Sequence, residues 1–315
     1  MRSIGLGLPL STRDGTASKF LQETLAEVQA AEEAGFDLCL IPEHHHGPPV
    51  SLLAPLTLAS ALAAVTTRIR IGPGVLILPV HHPRHLAEQL ILVDQLSGGR
   101  AVLGVGVGYQ ADDFIPFGVD PAERGGRFES VLRQIGDQFD GPEALRQRPV
   151  QLPRPPLWVG AWSAVGVERA ALLADGWIGD PIRTTEEVAA MATRYREACQ
   201  DKKSTVVVMR EAWVDEAPGA MERFASIIEP VFRYYRRHGA ASLPDDFATL
   251  AKDRFVVGSP DDCAEQIDEV ARRTQADTVV VTLRHPDGPG HAATLDAIAK
   301  LGAASRARND QGSSQ

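Results

Sequence analysis

RIRIGPGVLILPVHHPRHLAEQLILVDQLSGGRAVLGVGVGY, residues 68–109, reads strand, loop, helix, strand without interruption. Its opening is rich in β-branched residues, which suit a pleated, buried surface. Gly72, Pro73 and Gly74 break into that run and predict irregular backbone, as at a bulge or a close approach to a ligand. Pro83 suits the first turn of a helix, where its missing N–H costs nothing. Leu86, Leu90, Val93 and Leu96 recur at helical spacing, and Gly98-Gly99 closes the run. AVLGVGVGY then begins a second apolar strand. Two buried strands joined by a helix make a right-handed βαβ unit in a parallel sheet. His81 and His82 follow the first strand, so they lie at its C-terminal end, where barrels of parallel strands build their chemistry.

The same alternation extends in both directions. Ser3–Leu10 reads as a strand, and 18–34 as an amphipathic helix with Phe20, Leu25, Val28 and Ala31 inside and Gly35 as its C-cap. Phe36–Pro42 is a strand running into Glu43-His44-His45-His46, and Pro55–Val65 is a helix. Beyond Tyr109 come a loop and helix, then a Pro- and Arg-rich connection over 140–156. Strands follow at Leu157–Ala161, 176–179, 205–214 and 278–283, with helices at 163–174, 186–200, 259–273 and 291–301. A helical run over 221–238 is interrupted at Pro230. Residues 239–254 are small, polar and mixed, and read as a mobile excursion over the site; 305–315 reads as a polar, frayed tail. About eight strands alternating with helices predict a single (β/α)8 TIM barrel over 1–304. A doubly wound open sheet would carry GxGxxG after its first strand, and here Pro9 and STRDG stand there.

Composition narrows the function. The 315 residues are 44% hydrophobic, enough for a large core, and the net charge of −9 argues against a nucleic-acid partner. No apolar stretch is long enough to cross a membrane, and the N-terminus lacks a signal-peptide pattern. Cys39, Cys199 and Cys263 are far apart with no CxxC, which predicts inert thiols and a cytoplasmic setting.

Glu43, His44, His45 and His46 stand at one strand end, and His81, His82 and His85 after another. Solvent-exposed loop histidines are one reading. A metal site is another, but no HExxH is present and no metal is expected. The third is a wall of imidazoles that hydrogen-bond or move protons beside an anionic, redox-active ring. Gly104, Gly106 and Gly108 spell GxGxG, either a weak phosphate-loop signal or small residues that admit a flat group. Trp158, Trp162 and Trp177 are core candidates, Trp162 at a strand end. Ser163 opens a helix, as an N-cap or as part of a phosphate site.

LCLIPEHHH, the 68–109 block, DFIPFGVD, PPLWVGAWSAVGVERAALLADGW and FVVGSPDDCAEQI, in that order, resemble the bacterial luciferase-like monooxygenase family. The resemblance implies a TIM-type barrel with a flavin-type cofactor at its C-terminal mouth. Glu43-His44-His45 looks like the FMN branch, and the F420 branch is the alternative. It implies a non-proline cis peptide at Gly74-Val75, with Leu76 beside it, shaping the pocket of the flavin's central ring. Gly106 and Val107 would line the same pocket. Trp162, Ser163 and Gly166 would hold the flavin phosphate, and His44 and His82 match the family's active-site histidines. Two positions depart from the pattern. Val107 replaces an arginine that pairs with the phosphate, leaving Arg127 or Arg169 as substitutes. Gly106 replaces the cysteine of luciferase, so light emission is not implied.

The implied activity is a two-component monooxygenase. A separate reductase would supply reduced FMN, and a small organic substrate would be hydroxylated or undergo Baeyer–Villiger insertion. His44 would handle protons, His45 and His82 would support it, and Glu43 would fix an imidazole. An F420-dependent oxidoreductase, a non-catalytic flavin-binding partner subunit and a metal-dependent hydrolase are the competing readings. A homodimer is implied, with the helices at 55–65 and 84–97 as candidate faces.

Overall fold

The computed structural model describes residues 3–9, 11–12, 16–45, 50–51, 54–142, 144–200, 202–239 and 242–312. The expectation for His46 lies outside them.

Parallel strands form the frame: β1 Ser3–Gly7, β3 Leu38–Ile41, β5 Arg70–Pro73, β6 Leu76–Ile77, β7 Leu103–Gly106, β8 Leu157–Gly160, β9 Gly176–Gly179, β10 Thr205–Val214 and β12 Thr278–Thr282. Their order is β5-β3-β1-β12-β10-β9-β8-β7-β6, with β11 (Val256–Gly258) pairing the far end of β10. β5 and β6 are two halves of one strand position, so the sheet returns to its starting point. A parallel bridge between Ile71 and Ala101 draws the seam together, and the result is a nearly closed eight-position barrel, as the sequence predicts. Gly72 is required at that seam, because a Cβ there would lie 1.9 Å from the Val102 carbonyl oxygen. A short antiparallel pair, β2 Ser11–Thr12 with β4 Val50–Ser51, lies apart from the ring.

Strand alternation sorts the core into two layers. Leu38, Leu40, Val102, Trp158, Ile178, Val207 and Val280 fill the barrel interior. Cys39, Ile41, Leu103, Val159, Val206 and Val208 face the helices instead. Trp158 is thus interior packing. Trp177 belongs to the outer layer, where its indole N–H donates to the Ala161 carbonyl at 2.8 Å. All three cysteines are free and buried.

The helices are α1 Ala17–Glu33, α2 Pro55–Val65, α3 Pro83–Ser97, α4 Arg124–Asp140, α5 Ala164–Leu173, α6 Thr185–Cys199, α7 Ala220–Arg237, α8 Phe247–Ala251, α9 Pro260–Thr274 and α10 His291–Gly312. α3 ends on Gly98 in the left-handed conformation that favours glycine. Arg100, closing the GGR turn, ties three segments together. Its guanidinium donates to the carbonyls of Ala63, Thr66, Ile69 and Ser97 at 2.7–3.1 Å.

Three expectations change. α7 runs through Pro230 without a break, held by Phe224, Ile228 and Phe232, which are fully buried on one face. The 239–254 excursion is packed where it is described. Leu243, Leu250 and the following Phe255 insert into that same cluster, and 247–251 is helical. α10 continues to Gly312 instead of fraying at 305: Arg306 donates to the Ala34 carbonyl, and Arg308 pairs with Asp268 at 3.0 Å.

Candidate active site

The strand position split into β5 and β6 shapes the barrel mouth. The Gly74 N–H donates to the Ile41 carbonyl at 2.8 Å, and the Gly74-Val75 peptide is cis. This places the Val75 side chain against β7 and β8. A Cβ on Gly106 would lie 2.7 Å from one Val75 methyl, and a Cβ on Gly160 would lie 2.8 Å from the other. The glycines of the two strands therefore accommodate a Val75 ledge. Above it opens a cavity of about 590 Å³, lined by residues at or past the C-terminal ends of the strands and by side chains of α4, α5 and α7.

One wall carries carboxylates and imidazoles. Glu43 is buried and accepts from the Ile77 N–H at 2.5 Å. It also accepts from His81, whose Nε2 lies 2.9 and 3.1 Å from the two oxygens. His45 Nε2 stands farther off, 3.6 Å from Oε1. Burial alone would raise the Glu43 pKa; the attraction of His45 and His81 and the Ile77 N–H outweigh it and hold the carboxyl at about 2. The same carboxylate raises the pKa of His45. His44 faces the cavity. Its Nδ1 is buried with no hydrogen-bond partner, 3.7 Å from Asp113. Asp113 in turn accepts from the His45 backbone N–H at 3.0 Å, which fixes the turn that presents His44.

The predicted histidine set is thereby redistributed. His82 is exposed, takes the N-cap position of α3 and lines a separate shallow depression with Arg127. His81 takes the inward place, because the 3₁₀ turn Leu78–Val80 rotates it toward Glu43. His85 is exposed, and His45 packs against Phe117 with ring centroids 4.6 Å apart. Leu76 is buried beneath the ledge and outside the cavity lining.

A second wall lies where α5 begins. Trp162, Ser163 and Gly166 line the cavity there, as does Val107. The Ser163 hydroxyl caps the helix, accepting from the Gly166 N–H at 3.2 Å. Arg169 also lines the cavity, its Nε 3.4 Å from Glu129. Arg127 donates to the Pro79 carbonyl and points elsewhere. Arg124, not anticipated from the sequence, lines the same wall.

The model of the luciferase-like monooxygenase family matches residues 7–278. The chain belongs to that family. Among its relatives is limonene 1,2-monooxygenase of Rhodococcus erythropolis, 36% identical over 127 residues, 40% of this chain and 33% of that one. The chain spans about half the length of the curated relatives it matches first, two uncharacterised proteins of Sinorhizobium fredii. Three solved structures share the fold at low identity. Monooxygenase RslO1 from Streptomyces bottropensis has a TM-score of 0.86 at 20% identity, covering 98% of this chain and 99% of that one. The oxygenating constituent of 3,6-diketocamphane monooxygenase from Pseudomonas putida, in complex with FMN, has 0.75 at 18%, covering 95% and 97%. An F420-dependent secondary alcohol dehydrogenase has 0.78 at 12%, covering 97% and 99%.

Proteins of the luciferase-like fold thus hold flavin or F420, and the residues here fit such a group. The Val75 ledge offers an apolar floor for a flat ring. The His44 ring lines the cavity, its Nδ1 backed by Asp113 at 3.7 Å, and offers an imidazole at the edge of such a ring. The free N–H groups of α5, with Arg124 and Arg169, suit a phosphate. The sequence did not disclose Asp113, Arg124, Glu211 or His285 as cavity residues. Only the strand assignments hinted at them, since each lies near or beyond the C-terminal end of a barrel strand.

Proposed function

We propose that the protein is a flavin-dependent monooxygenase that takes reduced FMN from a separate reductase and oxygenates a small organic substrate with O2, by hydroxylation or Baeyer–Villiger insertion. The observation that carries this reading is the cavity at the barrel mouth, with the Val75 ledge as an apolar floor, the start of α5 on one wall and the His44 ring, backed by Asp113, on another. Reduced FMN, when bound, supplies the electrons that activate oxygen.

The chain's own residues bind, orient and exclude water. Gly74, Val75, Gly106 and Gly160 give the ring its floor, and Trp162 stands beside it, its ring 5.8 Å from that of Tyr109. Ser163, Gly166, Arg124 and Arg169 hold the phosphate. His44 holds or moves a proton at Nε2, with Asp113 behind Nδ1. Glu43 orients His81 and the Ile77 backbone and so keeps the ledge in place. His45 supports Glu43. His82 has no part in this site. The protein is proposed to act in the cytoplasm as a homodimer. Leu92 and Leu96, each 50% exposed on α3, supply an apolar face for the second copy.

One departure weakens the FMN reading against the F420 alternative: Val107 stands where FMN members of the family often carry a phosphate-pairing arginine. Arg124 and Arg169 offset that loss in the FMN reading. Reduced FMN, O2 and a reductase, given a panel of candidate substrates under ¹⁸O2, should yield a product carrying one labelled oxygen. Tight binding of F420 with hydride transfer and no labelled product would overturn the proposal.

A further inference from the structure

Glu211 and His285 line the cavity on the side of the ring opposite β7, at the ends of β10 and β12. They are 7% and 5% exposed. Along β10, Met209 and Glu211 face inward, while Arg210 points out to the Asp180 carbonyl and the Thr185 hydroxyl.

His285 is held firmly. Its ring lies edge-on to Phe224 at 5.3 Å and beside Trp213 at 6.3 Å. Its Nε2 is 3.0 Å from the Ala212 carbonyl. A carbonyl only accepts, so Nε2 carries the hydrogen, and the neutral ring turns the lone pair of Nδ1 toward Glu211. Nδ1 is 3.5 Å from Glu211 Oε2. A lone pair facing an ionised carboxylate at that distance is repelled, which favours the neutral acid, whose one proton sits on Oε1, away from the imidazole.

Burial decides where the proton rests. It pushes Glu211 up to about 7 and His285 down to about 4. The other groups near the pair do not reverse this. Arg284 is engaged with Glu23 and Glu27 at 2.5 and 2.7 Å. Asp180, itself buried and raised, and Tyr235 on α7 bring no positive charge. The acid side of neutrality therefore finds a neutral carboxylic acid facing a cavity whose lining includes the apolar side chains of Ile178, Ile182, Met209, Ile228 and Val231.

We propose that Glu211, oriented by His285, anchors the substrate as an un-ionised acid that donates a hydrogen bond to the carbonyl oxygen of a neutral, largely apolar ketone. This rests on the monooxygenase reading above and assigns its substrate class. A buried donor aimed at the oxygen also discriminates against hydrocarbons without one.

The test uses full-length protein loaded with FMN, with cyclohexanone and cyclohexylamine as probes. Cyclohexanone binding, read by calorimetry, should weaken several-fold between pH 6 and pH 8.5. E211Q, which keeps an N–H donor, should retain binding and lose the pH dependence. E211L should bind about tenfold more weakly, the scale of one hydrogen bond. An infrared carbonyl band of a protonated carboxylic acid should be present at pH 6 and absent in E211Q. Tighter binding of cyclohexylamine, abolished in E211Q, would overturn the assignment in favour of a cation site. Absence of the band, or equal cyclohexanone binding by all three proteins, would also overturn it. FMN affinity, measured first and expected to be equal in all three, separates this outcome from failure of the flavin reading.

Discussion

Glu43 and His44 are neighbours in the chain with separate tasks, set by what each touches. Glu43 is spent on the protein: its oxygens are taken by Ile77 and His81. His44 lines the cavity, with Asp113 3.7 Å behind its Nδ1. Substituting His44→Asn should leave the folded state intact and lower turnover with reduced FMN about 10²-fold or more, the scale of a lost general acid or base. Steady-state kinetics beside a thermal melt would check both halves. Glu43 predicts a pH effect of definite sign. Its pKa is about 2 in the folded protein against an ordinary 4.5, so its stabilisation is complete above 4.5 and is lost as the pH falls toward 2. Between pH 6 and pH 3 the wild type should lose on the order of 2 kcal/mol that E43Q does not lose, read by urea unfolding.

At the scale of elements, the split strand and its two glycine-bearing neighbours act as one device. G106A would drive a methyl to within 2.7 Å of Val75. It should cost about 1–3 kcal/mol and weaken flavin binding. V75A should relieve the clash, so the double variant G106A/V75A is expected to be more stable than G106A alone. A double-mutant cycle on melting temperature and FMN affinity measures the coupling. The βαβ reading of 68–109 was legible because strand and helix each leave their own period in the sequence. The irregularity at Gly72–Gly74 was legible too, as glycine and proline inside a strand pattern. Which histidine turns inward was not. It depends on one 3₁₀ turn, Leu78–Val80, which rotates His81 toward Glu43 and leaves His82 outside. Pro230 misled in the opposite direction: burial of Phe224, Ile228 and Phe232 outweighs one missing N–H.

At the scale of the whole molecule, the barrel brings to one mouth residues that are distant in the chain. Glu43 meets His81 across 38 positions, and Glu211 meets His285 across 74. Local patterns disclosed the ring of strands and therefore which end holds the site. They could not disclose pairings across the ring, because a lone glutamate in a strand such as MREAWV carries no mark of what faces it. The proposed dimer face is also a property of the assembled surface, and L92E together with L96E should shift the protein to monomer in sedimentation velocity. The central claim is that this mouth holds a flavin with its ring on the Val75 ledge and its phosphate at the start of α5. A crystal structure of the FMN complex tests it most directly. The account predicts ring contacts with Val75 and His44, and phosphate contacts with Ser163 and with Arg124 or Arg169. A flavin seated away from the Val75 ledge, or with its phosphate turned toward Glu211, would contradict it.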